Sequence, residues 1–181
     1  MKAALILLLS MLAVTACQRS GVAKQRGQSR DMFPDQESWV SEVIITKEGR
    51  RVAQANSDRM IKYDKQNLAH LLGNVAVDFY NGEGRHVSRL YADSADVDFL
   101  TNNLSAYGNV RVFSDSGHVL LTKTLTWRNE YDMISTRDSI MFASPQLDTL
   151  YGIGFESDVD LTHWKIYQPT GVMGAGLSDG S

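Results

Sequence analysis

Two Gly-Asn-Val triplets, at 73–75 and 108–110, lie 108 − 73 = 35 residues apart, and each opens a run of alternating apolar and polar residues. In "GNVAVDFYNGEG" (73–84), Val75, Val77 and Phe79 fall on one face and Ala76, Asp78 and Tyr80 on the other. A period of two is the signature of a strand with one buried face. The run ends in Asn81-Gly82, a strong hairpin signal. "GNVRVFSDSGHVLL" (108–121) repeats the pattern: Val110 and Val112 alternate with Arg111, and a Ser-Asp-Ser-Gly turn leads to another strand. "NLAHLLGNV" (67–75) matches "NLSAYGNV" (103–110) with one residue gained or lost. "ISTRDSIMF" (134–142) is a third copy, aligned to "LSAYGNVRV" (104–112), with Asp138-Ser139 where Gly-Asn stands in the others. Each unit reads as strand, polar turn, strand, Gly/Asn turn. Internal repetition of short strands predicts stacked antiparallel hairpins.

The intervening strands alternate in the same sense. Ala95, Val97 and Phe99 oppose Asp96 and Asp98; Val119, Leu121, Leu125 and Trp127 oppose Thr122, Thr124 and Thr126, with Lys123 interrupting the apolar side. Phe155, Val159 and Leu161 oppose Glu156, Asp158 and Asp160. After residue 31 no stretch keeps a 3.6-residue apolar stripe for three turns, so almost no helix is expected. A sheet built from such repeats and folded over has an apolar seam between its halves. It also has an edge strand with free backbone groups at each end.

Composition narrows the function. The chain has 181 residues, 43% apolar and 22% charged, with net charge −3, which fits one soluble domain behind a targeting segment and argues against a nucleic-acid partner. A single cysteine excludes an internal disulfide framework and a multi-cysteine zinc site. Asp96-Val97-Asp98 and Asp158-Val159-Asp160 read as solvated outer-face acids, because nothing nearby completes a calcium loop. His70, His86, His118 and His163 are scattered without metal-ligand spacing, and no G-x-S-x-G elbow is present. "GIG" (152–154) and "GAG" (174–176) lack the strand-to-helix setting of a nucleotide loop. Neither a catalytic constellation nor a cofactor or metal site is expected.

The one cysteine stands at the end of the leader. Lys2 gives a positive n-region, Ala3 to Leu12 an apolar core, and Val14-Thr15-Ala16 the small residues of a cleavage site. As a permanent span the apolar run falls short of the ~20 residues that a bilayer needs. Val14-Thr15-Ala16-Cys17 resembles a bacterial lipobox. That resemblance implies cleavage after Ala16 and a diacylglycerol thioether on Cys17, with acyl chains worth ~0.8 kcal/mol per buried methylene as the tether. The plainer alternative is an incidental thiol closing an ordinary secretory signal. Residues 17–35 read as a polar, basic leash (Arg19, Lys24, Arg26, Arg30), 36–173 as the folded domain, and 174–181 as a disordered tail.

Three features together, the lipobox, the "ADSADVDF…GNVRVF…LLTKTLTW" block and the closing "YGIGFESDVDLTHWKIYQPTG", resemble the LptC family of the lipopolysaccharide export system, over about residues 36–173. The resemblance implies an all-β, twisted, boat-shaped β-jellyroll (a β-taco), open at both edges, and no catalysis. Also implied is a lipopolysaccharide path at the periplasmic face of the inner membrane of a Gram-negative bacterium. The donor would be an ABC transporter (LptF/LptG with LptB) and the receiver an LptA-like bridge protein. The best-known members keep an uncleaved transmembrane helix, and Cys17 is where this chain departs from them. Because the family's interior is defined by alternation, the candidate lipid-binding groove is the inward register: Val75, Val77, Phe79, Val97, Phe99, Val110, Val112, Leu121, Leu125, Trp127, Ile140, Phe142 and Phe155. Each of these also reads as structural core. The competing function is a membrane-anchored assembly lipoprotein that binds proteins through its strand edges and carries no lipid.

If Cys17 is the tether, Cys17→Ala releases the protein from membranes or stalls it as a precursor, read by fractionation and intact mass. Wild-type protein retaining residues 1–16 and lacking acyl mass would refute the anchor.

Overall fold

The computed structural model describes residues 33–146 and 148–173. Cys17, the leader, most of the leash and the tail lie outside the described residues. The strands are β1 (Gln36–Lys47), β2 (Arg50–Tyr63), β3 (Leu68–Tyr80), β4 (His86–Asp98), β5 (Asn103–Ser114), β6 (Val119–Arg128), β7 (Met133–Ala143), β8 (Thr149–Asp158) and β9 (Trp164–Met173). They form one nine-stranded sheet in chain order, each strand antiparallel to the next. Among the described residues the only helical element is a short 3-10 turn, Asp64–Gln66. The fold is therefore all-β, a single open sheet, as the alternation predicts.

Turn chemistry accounts for the hairpins. Glu48 and Gly49, both at positive φ (53° and 77°), make the tight two-residue link between β1 and β2. Asn81 organises the β3–β4 turn: its side-chain oxygen accepts from the Glu83 and Arg85 amides at 3.0 Å each.

The Gly-Asn pairs behave differently from their expected role. They are not turns between strands but bends inside β3 and β5. Gly73 and Asn74 (φ 73° and 45°) and Gly108 and Asn109 (φ 74° and 45°) place two successive residues in the left-handed region. Pairing with the neighbouring strands skips across these positions. Each bend is braced from the next strand. Asn74 Nδ2 donates to Asp58 Oδ2 and Asn109 Nδ2 to Asp93 Oδ2, both at 2.8 Å. Each aspartate also fills the space that a Cβ on the glycine would need. In the third copy Asp138 sits at the same place in β7 and accepts from Thr124 Oγ1 at 2.7 Å. The repeats align here without a gap: the burial patterns of β3 and β5 coincide when Gly73 is laid on Gly108 and Val75 on Val110. The single-residue insertion in the sequence alignment is therefore corrected. It arose from matching Asn67-Leu68 to Asn103-Leu104, whereas the paired strands match Ala69 to Leu104.

A row of bends at the same level in successive strands creases the sheet into two leaves. One carries the β1–β2, β3–β4 and β5–β6 hairpins, and the other the β4–β5, β6–β7 and β8–β9 hairpins. Contacts between non-adjacent strands show the leaves face to face. The rings of Phe79 (β3) and Trp127 (β6) meet edge-on with centroids 5.3 Å apart, and those of Phe142 (β7) and Trp164 (β9) pack tilted at 4.8 Å.

Gly108→Ala forces a Cβ into the left-handed region and against the Asp93 carboxylate, so it is expected to destabilise the domain by ~1–3 kcal/mol. A urea midpoint equal to wild type would contradict the bend's role.

Candidate functional site: the interior and its mouth

The inward face of both leaves is mainly apolar, with buried hydroxyls at Ser88, Thr122, Thr136 and Ser157. Val75, Val77, Phe79, Val97, Val110, Val112, Leu125, Trp127, Ile140, Phe142 and Phe155 are all buried and belong to one continuous cluster. The other two candidates are placed differently. Phe99 sits in the β4–β5 turn, half-buried against the rim of that cluster, with Lys62 Nζ 5.4 Å from its ring centre. Leu121 is on the outer face. Leu120 and Thr122 are buried on either side of it, and Leu121 itself pairs with Arg111 and Met141. The expected register fails because the β6–β7 ladder breaks between Leu121 and Thr126, shifting inward positions by one across Lys123-Thr124. The hydroxyl of Thr122 spans the break by donating to the Ser139 carbonyl at 3.2 Å.

The interior is filled as well as apolar. Trp127, Phe142 and Phe155 have no exposed surface, and Phe79 is 1% exposed. Pairs of rings meet across the cavity where an open trough would leave a gap. A cleft of about 690 Å³ does exist, but it involves the outer face of β6 to β9, with Thr126, Arg128, Ser135, Glu156 and Tyr167 among its lining residues.

Where the two rows of hairpins meet, they are fastened. Lys47 Nζ, at the end of β1, donates to the Asn129 and Glu130 carbonyls of the β6–β7 hairpin, both at 3.0 Å. Further along, Ser88 Oγ donates to the Val159 carbonyl and Ser116 Oγ to the Asp160 carbonyl (3.4 Å), tying β4 and the β5–β6 turn to the β8–β9 hairpin. That hairpin turns its side chains inward: Val159 is 4% exposed and Leu161, at φ 60°, not at all. Its shape is set by Asp158, which accepts from the Thr162 and His163 amides at 2.9 and 3.2 Å. Burial pushes the Asp158 carboxyl up, but hydrogen bonding with Asp160, His163 and Thr162 outweighs it and holds the group at about 2. It is charged at neutral pH and keeps the turn closed. At the other fastening, burial raises the Asp132 carboxyl, opposed by the Trp127 indole N–H at 3.4 Å and by Lys47.

The exposed apolar side chains are prominent on the two edge strands: Trp39, Val40 and Ile44 on β1, Trp164 and Tyr167 on β9. The outer edge of each strand has no partner strand in the sheet.

A creased open sheet with an apolar interior and two free edges narrows the field, and comparison decides it. The model of the family described as lipopolysaccharide-assembly, LptC-related, matches residues 3–170. The chain belongs to the LptC family. No curated protein matches the chain. Membership ties this LptC domain to lipopolysaccharide transport, as a periplasmic component of the Lpt system of Gram-negative bacteria. Its associates are lipopolysaccharide and other Lpt proteins, and the family is one of transport.

Sequence reasoning missed the braces and the fastenings. The braces had a signal, since Asp58 and Asp93 keep the spacing of the two Gly-Asn pairs. Lys47, Ser88 and Ser116 had none: each acts on a backbone carbonyl, which leaves no trace in sequence. If Leu120 is core and Leu121 is not, Leu120→Ala costs ~2–5 kcal/mol in urea unfolding and Leu121→Ala under about 1 kcal/mol. The reverse order would restore the register read from the sequence.

Proposed function

We propose that this LptC domain carries lipopolysaccharide across part of the periplasm by holding its acyl chains between the two leaves. One observation carries the reading: a single continuous apolar cluster lines the inward face of the sheet, interrupted by a few buried hydroxyls, while both edges of the sheet lack a partner strand. Exposing acyl chains to water costs ~0.8 kcal/mol per methylene, so several long chains need a continuous shelter. In this reading β1, nearest the N-terminal anchor, faces the inner-membrane transporter (LptF/LptG with LptB) and receives the lipid. The far edge, β9, passes it to an LptA-like bridge protein whose strand pairs there. Acylated Cys17 holds the assembly to the periplasmic face of the inner membrane.

A second reading is favoured by the filled interior. A membrane-anchored assembly lipoprotein would use the same edges to join its partners and keep the leaves permanently packed. A photo-crosslinker placed in turn at Phe79, Val112 and Trp127 separates the two. Lipopolysaccharide labelled from these inward sites in cells, and not from Asp78 or Arg111, supports transport. Labelling from neither face leaves the assembly reading.

A further inference from the structure

The interior presents a contradiction that its own fastenings resolve. A shelter for acyl chains has to admit them, yet its large side chains are fully buried against one another and its mouth is tied shut. We infer that the closed mouth is a latch: lipid and the Lys47 and Ser88/Ser116 hydrogen bonds exclude each other, and the β6–β7 and β8–β9 hairpins are the moving parts. The inference rests on the lipid-carrying reading above.

Three features mark this region as the place that yields. First, each fastening joins residues distant in sequence across the gap between the leaves, and each consists of side-chain donors on backbone carbonyls. Within each leaf the strands are held by ladders of backbone hydrogen bonds that run up to the crease. Opening the mouth breaks a few isolated bonds and leaves the ladders whole. Second, the closed state is not fully satisfied. Asn129 is 8% exposed and its Oδ1 finds no hydrogen-bond partner among the described residues, right beside the carbonyl that Lys47 grips. Leu161 is packed into the core at a left-handed φ of 60°, a costly conformation for a residue with a branched side chain. Third, Val159 and Leu161 enter the apolar cluster from a hairpin beyond the end of β8, so they can withdraw without unpairing a strand. The space they leave is apolar and takes acyl chain in place of leucine and valine at little cost in burial.

The donors suit a latch in another way. Lys47 is exposed and spends its ammonium on two neutral carbonyls, with the Asp132 carboxyl near enough to feel its charge. When the mouth parts, that cation is left at the lip, beside the region where an anionic headgroup would stay in water.

The test uses the full-length acylated protein in detergent micelles, with benzoylphenylalanine in place of Phe79 in every sample and purified lipopolysaccharide as the probe. Lys47→Met and the pair Ser88→Ala/Ser116→Ala each remove one fastening. Lys47→Arg keeps a donor and serves as the rescue. Urea midpoints establish that each variant is folded. Crosslinking to lipopolysaccharide is expected to be roughly five- to tenfold faster in Lys47→Met and in the double serine variant than in the parent. Lys47→Arg should stay at the parent's rate. If the parent labels and the unlatched variants label at the same rate or more slowly, the latch is wrong and the lipid path stands. If no sample labels, including the parent, the lipid path itself fails and takes the latch with it.

Discussion

Every strand of this sheet has to change direction halfway along, and the rest of the structure depends on how the chain manages it. A straight antiparallel sheet of this length would leave its apolar face in water, since no helix and no second sheet is available among the described residues to cover it. The crease makes one sheet cover itself. It requires left-handed backbone at matching levels, which glycine and asparagine supply in β3 and β5 and Gly154 supplies in β8. In β1 the same level falls on Val40, a β-branched residue at φ 51°. That a valine is held there shows how firmly the neighbouring bends dictate the position. Asp58 and Asp93 convert each crease from a weakness in the ladder into a cross-strand tie, because the carboxylate occupies the very space that makes glycine necessary.

Much of this was legible from the sequence, for a physical reason. Alternation is a local property, so the inward faces of β3, β4, β5 and β7 could be read residue by residue, and the buried cluster contains them. The bends were visible as repeated Gly-Asn pairs, but their meaning was not. The residue pair that suits a hairpin turn also suits a mid-strand bulge, and only the pairing partners distinguish them. Leu121 shows the same limit from the other side. A break in the β6–β7 ladder shifts the register by one, and a single shift turns an inward leucine outward. The fastenings at the mouth were beyond reach altogether, because they join hairpins that the chain order keeps far apart.

The filled interior has to be weighed against the function that the family performs. A permanently open apolar trough in water would be unstable and adhesive, prone to collapse or to capture any passing lipid or strand. Packing the leaves together with the chain's own aromatic rings removes that hazard while the domain is empty. Under the proposed lipid-carrying function, the energy that lipid recovers on entering has to exceed the loss of these contacts, and several acyl chains at ~0.8 kcal/mol per methylene can supply it. A buried interior and a lipid path are therefore compatible when the closure is made of few, local and imperfectly satisfied bonds.

The creases also constrain what can join the edges. A strand added to β1 must follow it past Val40, where the edge turns through the bend. One added to β9 meets Pro169, which has no amide hydrogen to offer, next to the bulge at Thr170. Each edge therefore presents two short pairing segments on different leaves in place of one long flat template. A flat strand pairs with one segment and parts from the other, which protects the free protein from edge-to-edge aggregation. A strand that is itself bent at the same level pairs with both. The geometry that folds the sheet over its own apolar face thus also favours, at either edge, an added strand that is bent at the same level.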